Sequence, residues 1–167
     1  MLARRGLTII YGGGKTGLMG ALADAALEAG GRVTGVITES MNTPALAHAG
    51  ITRLEVTATI HQRKARMYAL ADGYIALPGG YGTLDELFET LTWAQIGEHS
   101  KPVGLLNVNG YYDRLLEMLD RATAEGYPET LVQARLGSGC CPGVRPYGHV
   151  HADEASKPRT ERPKNHR

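Results

Sequence analysis

Two short apolar runs in this chain end in clustered glycines and pass straight into helical periodicity, and few folds accept that pattern. The run at 7–11 meets Gly12-Gly13-Gly14 ahead of a helix predicted over about 18–29. The run at 73–77 meets Pro78-Gly79-Gly80-Tyr81-Gly82 ahead of a helix predicted over about 84–96. A short apolar run reads as a buried strand, and glycine lets the backbone turn sharply and approach a ligand closely. Further strands are predicted at 32–37, 51–56 and 102–107, with helices at 60–71 and 111–125. The segment 39–50 reads as a loop or short helix broken at Pro44. Strand and helix alternate throughout, which argues an α/β fold with a parallel sheet covered on both faces. Ligands of such sheets sit at the carboxyl ends of the strands, where both glycine turns fall.

The alternation stops near Gln133. Beyond it lie four of the eight prolines, and seven Lys/Arg against three Asp/Glu. We expect one domain over 1–133 and a disordered basic tail over 134–167. With 43% hydrophobic residues the chain can build a core, and a net charge of +1 gives no reason to expect a nucleic-acid or membrane partner. Its two cysteines, Cys140 and Cys141, are neighbours, so a disulfide framework is not expected and a cytoplasmic setting is. The first six residues are too short and too charged for a signal sequence, and no apolar run reaches membrane-spanning length.

The first glycine turn matches two patterns loosely. Gly14-Lys15-Thr16 resembles the end of a phosphate-binding P-loop, but the earlier glycine that motif requires is Ile9 here. Gly12, Gly14 and Gly17 fit G-x-G-x-x-G, with Glu39 after the next strand, which is the context of a dinucleotide site. The plain alternative is a tight strand-to-helix turn with no ligand.

The second turn is more specific. Three glycines precede a helix start, where free N–H groups and the positive end of the dipole favour phosphate. Thr83 adds a hydroxyl donor. Glu86 has two readings. Thr83-x-x-Glu86 has the spacing of a capping box. Alternatively, Glu86 faces the sugar of a nucleotide whose phosphate lies on the turn, where a fixed carboxylate would stabilise an oxocarbenium-like state or orient water. The run His61-Gln62-Arg63-Lys64-Ala65-Arg66 is either a solvated helix face or a source of complementary charge. Within it, Arg63 suits phosphate or carboxylate but is a poor proton donor. Leu84, Leu87, Phe88 and Leu91 form an apolar stripe, and Trp93 lies off it, better suited to a subunit contact than to base stacking.

Taken together, Tyr11-Gly12-Gly13-Gly14 with Gly17-Leu18-Met19-Gly20, His61-Gln62-Arg63-Lys64-Ala65-x-Met67, and Pro78-Gly79-Gly80-Tyr81-Gly82-Thr83-x-x-Glu86 closely resemble the Lonely Guy family. Thr92-Trp93-Ala94-Gln95 and the stretch 101–107 extend the match, which covers about 2–132. The resemblance implies a Rossmann-like, doubly wound hydrolase of cytokinin biosynthesis, a cytokinin riboside 5′-monophosphate phosphoribohydrolase. Such enzymes release a free base and ribose 5-phosphate, need no metal or other cofactor, and are usually homodimers. It assigns Arg63 and Glu86 as the catalytic pair and Gly79, Gly80, Gly82 and Thr83 as phosphate binders. Gly13, Gly14, Lys64 and Met67 follow as further nucleotide contacts. Family members begin with another strand, turn and helix before the point matching Leu2. A doubly wound sheet without that central first strand is expected to carry an unpaired gap.

Other readings follow from the residues. One is an inactive relative that binds nucleotide without turnover. An NAD-linked oxidoreductase would use Gly12, Gly14, Gly17 and Glu39 but leaves the second turn unexplained. No lysine stands out for a pyridoxal enzyme. Cys140, Cys141, His149 and His151 lack the usual metal-ligand spacing.

Overall fold

The alternation read from the sequence forms as drawn, with shifted ends. The computed structural model describes residues 2–127 and 134–136. Its elements are β1 (Ile9–Tyr11), α1 (Gly17–Glu28), β2 (Val33–Thr38), β3 (Arg53–Thr57), α2 (Ile60–Leu70), β4 (Tyr74–Ala76), α3 (Tyr81–Gln95), β5 (Val103–Leu106), α4 (Asp113–Ala124) and β6 (Ala134–Leu136). Short 3-10 turns lie at Ala3–Arg5, Glu39–Met41 and Val108–Gly110. Strand β6 begins where the sequence places the tail; 137–167, with both cysteines, His149 and His151, lies outside the described residues.

Every strand pair is parallel, with Ile9 beside Val33, Thr34 beside Arg53, Tyr74 beside Val103 and Gly104 beside Ala134. The strands fall into two groups, β1-β2-β3 and β4-β5-β6. No ladder joins them among the described residues, so β1 and β4 each keep one edge without a strand partner.

Each group has its own core. Helix α1 presents Ala23 and Ala26 to Tyr11 and Val33, and these small side chains bring the helix close to β1 and β2. Helices α3 and α4 bury Leu87, Leu91, Tyr112 and Leu116 against Val103 and Leu105 of β5. Leu84 packs at the margin of this core, whereas Phe88 of the same predicted stripe is 38% exposed and lines a cleft with Thr92, Gln95 and Leu119. Helix α2 touches β1, β2 and β3. Among the described residues, no helix is long and apolar enough to cross a membrane.

Leu105 is fully buried, so Leu105→Ala removes apolar contact and leaves a cavity. Urea unfolding should show a loss of about 2–5 kcal/mol. Met118 is 53% exposed on α4, and Met118→Ala should stay within about 0.5 kcal/mol of the parent.

Candidate active site

Helix α2 has a well-defined start. The Thr59 hydroxyl accepts from Gln62 N at 3.2 Å, and the Gln62 side chain accepts from Ala58 N at 3.1 Å. These caps satisfy N–H groups that the first turn leaves open and fix the helix register. Arg63 follows on the next position and reaches α3, where Nη2 donates to Glu86 Oε1 at 2.6 Å. The Arg63 side chain is only 13% exposed and that of Glu86 is 37% exposed. The end of β1 completes the enclosure. A Cβ on Gly12 would stand 3.1 Å from Arg63 Nη2 and 3.5 Å from its Cζ, so the missing side chain makes room for the guanidinium.

Two effects act on the Glu86 carboxyl in opposite directions. Burial raises its pKa above the ordinary carboxylate range, and Arg63 pulls it down. Burial prevails, helped by repulsion from Asp85 and Glu89 on the same helix. Arg63 Nε is itself buried without a hydrogen-bond partner, so one donor of the guanidinium is unspent.

The second glycine turn lies one helical turn ahead of Glu86. Helix α3 begins at Tyr81, three residues before the apolar stripe, because Gly80 takes the N-cap position in an extended conformation (φ −89°, ψ −153°). No side chain caps this end, and the first-turn N–H groups have no intrahelical acceptor. Thr83 is therefore inside the helix and cannot be its cap, and Glu86 binds Arg63. The capping-box reading of Glu86 fails on both counts. A Cβ on Gly79 would fall onto the Thr83 hydroxyl, so only glycine lets the turn fold back over that residue.

The first turn is used differently. Gly13 has φ +75° and packs against Ile37 and Leu54, and its carbonyl accepts from His48 N at 3.0 Å. Gly14 forms an antiparallel bridge with Ala47, and Lys15 N donates to Leu46 O at 2.9 Å. The segment around 42–48 thus takes up polar groups of this turn. Of its glycines, Gly12 meets Arg63. Glu39, the acidic residue of the dinucleotide pattern, is exposed in the turn after β2.

Lys64 donates to Asp85 at 3.0 Å and lies 3.2 Å from Glu89; Asp85 first, and Glu89 with it, hold its ammonium above the ordinary range. It ties α2 to α3. Met67 is half-buried on α2. Trp93 packs within the chain, edge-on to Tyr68 at 4.4 Å, in a cluster with Tyr74 and His99. This internal packing of Trp93 has no local signal in the sequence. Sequence reasoning missed Met19, whose sulfur lies 3.5 Å from where a Gly12 Cβ would be. It also missed Tyr111 and Tyr112, which hold carbonyls of the second turn across 32 and 35 residues, a separation with no local signal.

Comparison with known proteins agrees with this geometry. A family model described as “Possible lysine decarboxylase” matches residues 19–136. The cytokinin riboside 5′-monophosphate phosphoribohydrolase of Rhodococcoides fascians is 50% identical over 136 residues, covering 81% of this chain and 69% of that protein. An Arabidopsis thaliana protein of the same name is 42% identical over 161 residues, covering 93% and 75%. Two rice proteins named as probable enzymes of this kind are 48% and 49% identical over 126 residues, and this chain spans only 56% and 60% of their lengths. The molybdenum cofactor binding protein of Rippkaea orientalis has a similar structure, with a TM-score of 0.58 at 25% identity, covering 81% of this chain and 74% of that one. The family model spans well over half of the chain, and two of these relatives, at 50% and 42% identity, are covered to more than two thirds of their length: the chain belongs to the Lonely Guy family, the group that the lysine-decarboxylase description also covers.

Proposed function

We propose that this protein hydrolyses the N-glycosidic bond of a nucleoside 5′-monophosphate of the cytokinin riboside type, giving free base and ribose 5-phosphate. The observation that carries the reading is the 2.6 Å Arg63–Glu86 contact, held one helical turn from an uncapped, glycine-built helix start. In this reading the phosphate binds the N–H groups around Gly79, Gly80, Gly82 and Thr83. The ribose then lies toward Glu86. As the bond from C1′ to the base nitrogen breaks, positive charge develops on the sugar, and the carboxylate stabilises it. Glu86 also orients the water whose oxygen bonds to C1′; one water proton ends on the departing base. Arg63 holds Glu86 aimed and pulls its pKa down against the effect of burial. Gly13, Gly14, Lys64 and Met67 are the further nucleotide contacts of this proposal, with Lys64 also paired to Asp85 and Glu89.

The names of the relatives support this reaction. A pyridoxal decarboxylase would need a lysine that gives up its proton to form a Schiff base. Among the described residues Lys64 is held charged between carboxylates, and Lys15 and Lys101 donate to the carbonyls of Pro44 and Tyr68. A homodimer and a cytoplasmic setting complete the proposal. The apolar cleft of Phe88, Leu91 and Leu119 is the face offered to a second copy, and sedimentation analysis should return twice the chain mass. One observation favours a second reading, nucleotide binding without turnover: the sheet is interrupted beside the site. Thermal melting with AMP separates the two, because a ligand-induced rise with no free base released would leave binding alone.

Incubation with isopentenyladenosine monophosphate or AMP should release free base, detected by chromatography. Glu86→Gln should lower kcat by about 10²–10³.

The raised Glu86 pKa sets the sign of two pH effects. Activity needs the ionised form, so kcat/KM should rise with pH through a value above the ordinary 4.5 and then level off. Arg63→Met removes the charge that pulls this value down, so the acid limb should move to higher pH. Stability runs the other way. A folded pKa above the unfolded one favours folding below the unfolded value and loses that advantage as pH rises through the folded value. Wild type should therefore lose stability relative to Glu86→Gln across that window, measured by urea midpoints. A pH profile of activity unaltered in Arg63→Met would remove Arg63 from this role.

A further inference from the structure

The loop between β5 and α4 carries two adjacent tyrosines whose hydroxyls reach back to the second glycine turn. Tyr111 donates to the Gly79 carbonyl at 2.6 Å, and Tyr112 donates to the Leu77 carbonyl. Tyr112 is 1% exposed, fixed in the core with Leu105 and Leu116. Tyr111 leans edge-on against it, with ring centroids 5.0 Å apart. The loop is locked at both ends. The Asn107 side chain accepts from Tyr112 N at 2.7 Å and donates to Asp113 at 2.7 Å, while Asn109 and Gly110 take φ +52° and +72°.

We propose that Tyr111 is a positioning residue for the phosphate turn: its hydroxyl holds the Gly79 carbonyl and so aims the Gly80 N–H at the substrate phosphate. The Gly79–Gly80 peptide is trans, so its C=O and N–H point in opposite directions. Glycine on both sides makes this peptide the easiest in the turn to flip. A flip would present an oxygen to the phosphate in place of a donor. Thr83 restrains Gly79 at its Cα, and Tyr111 restrains its carbonyl. No local feature of the turn does the second job, because Gly80 has no side chain and the helix start has no side-chain cap.

This inference rests on the phosphate placement proposed above, but its test does not rest on turnover. Tyr111→Phe keeps the ring on Tyr112 and removes only the hydroxyl. By calorimetry, ribose 5-phosphate should bind about three- to tenfold more weakly to the variant. Adenosine, which has no phosphate, should bind equally to both proteins, and the melting temperature should not move. Where AMP is hydrolysed, KM should rise by the same factor with kcat within about twofold. A variant that hydrolyses AMP with unchanged KM and binds ribose 5-phosphate like the parent would overturn the proposal and leave the hydrolase reading intact. Equal weakening of ribose 5-phosphate and adenosine would show a structural role and overturn it too, as would a parent protein that binds no ribose 5-phosphate. A parent that releases no base, yet loses ribose 5-phosphate affinity on Tyr111→Phe, would end the hydrolase reading and support the role of Tyr111.

Discussion

The Arg63–Glu86 contact spans two parts of the molecule that the β-ladders leave separate. Helix α2, which carries Arg63, packs on β1, β2 and β3, while α3, which carries Glu86, packs on the core built around β5. Strand hydrogen bonds do not cross between the two groups among the described residues. What crosses instead is a row of contacts from α2 to α3: Arg63 to Glu86, Lys64 to Asp85 and Glu89, and Tyr68 to Trp93. A half-buried ion pair contributes little net stability, because desolvating the charges offsets their attraction. Its value here is geometric, since it fixes the angle at which a carboxylate from one part faces the strand end of the other. The aromatic cluster at the far end of the same helix pair adds apolar contact that needs no such compensation.

This explains why the carboxyl is tuned as it is. Without Arg63, burial would push the Glu86 pKa higher still. A fully solvated pair would leave the carboxylate ionised but weak, screened by water. The structure sits between these limits, with burial pushing the pKa up and one guanidinium holding it back. Gly12 belongs to the same balance. A side chain there would press on the guanidinium and loosen the contact that keeps Glu86 aimed.

Much of this was legible in the sequence because it is local. The two strand–glycine–helix units, the α2 start at Ile60 and the core positions Leu87 and Leu91 follow from spacing alone. The start of α3 was placed too late, because Tyr81, Gly82 and Thr83 carry no apolar period although Gly80 opens the helix ahead of them. Phe88 was read as core because it falls in the stripe, but the packing of α3 on β5 leaves it at the edge. The contact of Trp93 with Tyr68, 25 positions earlier in another helix, has no sign in the sequence. Motifs such as Gly13-Gly14 describe backbone shape; that the segment around 42–48 bonds the Gly13 carbonyl and the Lys15 N–H has no local signal.

The two glycine turns therefore have the same local grammar and different uses, and the difference lies in what each turn is held by. The first is held by backbone bonds to a neighbouring loop, through the Gly13 carbonyl and the Lys15 N–H. The second is held through the Leu77 and Gly79 carbonyls by tyrosine hydroxyls; Pro78 offers no N–H, but across the trans Gly79–Gly80 peptide the Gly80 N–H points away from Tyr111. A turn restrained on its acceptor side and open on its donor side is selective for anions before any charged residue is added. The absence of a lysine or arginine within the turn itself then has a physical reason. In the proposed reaction the backbone supplies the attraction for a phosphate, while the Arg63 guanidinium stays paired with the Glu86 carboxylate.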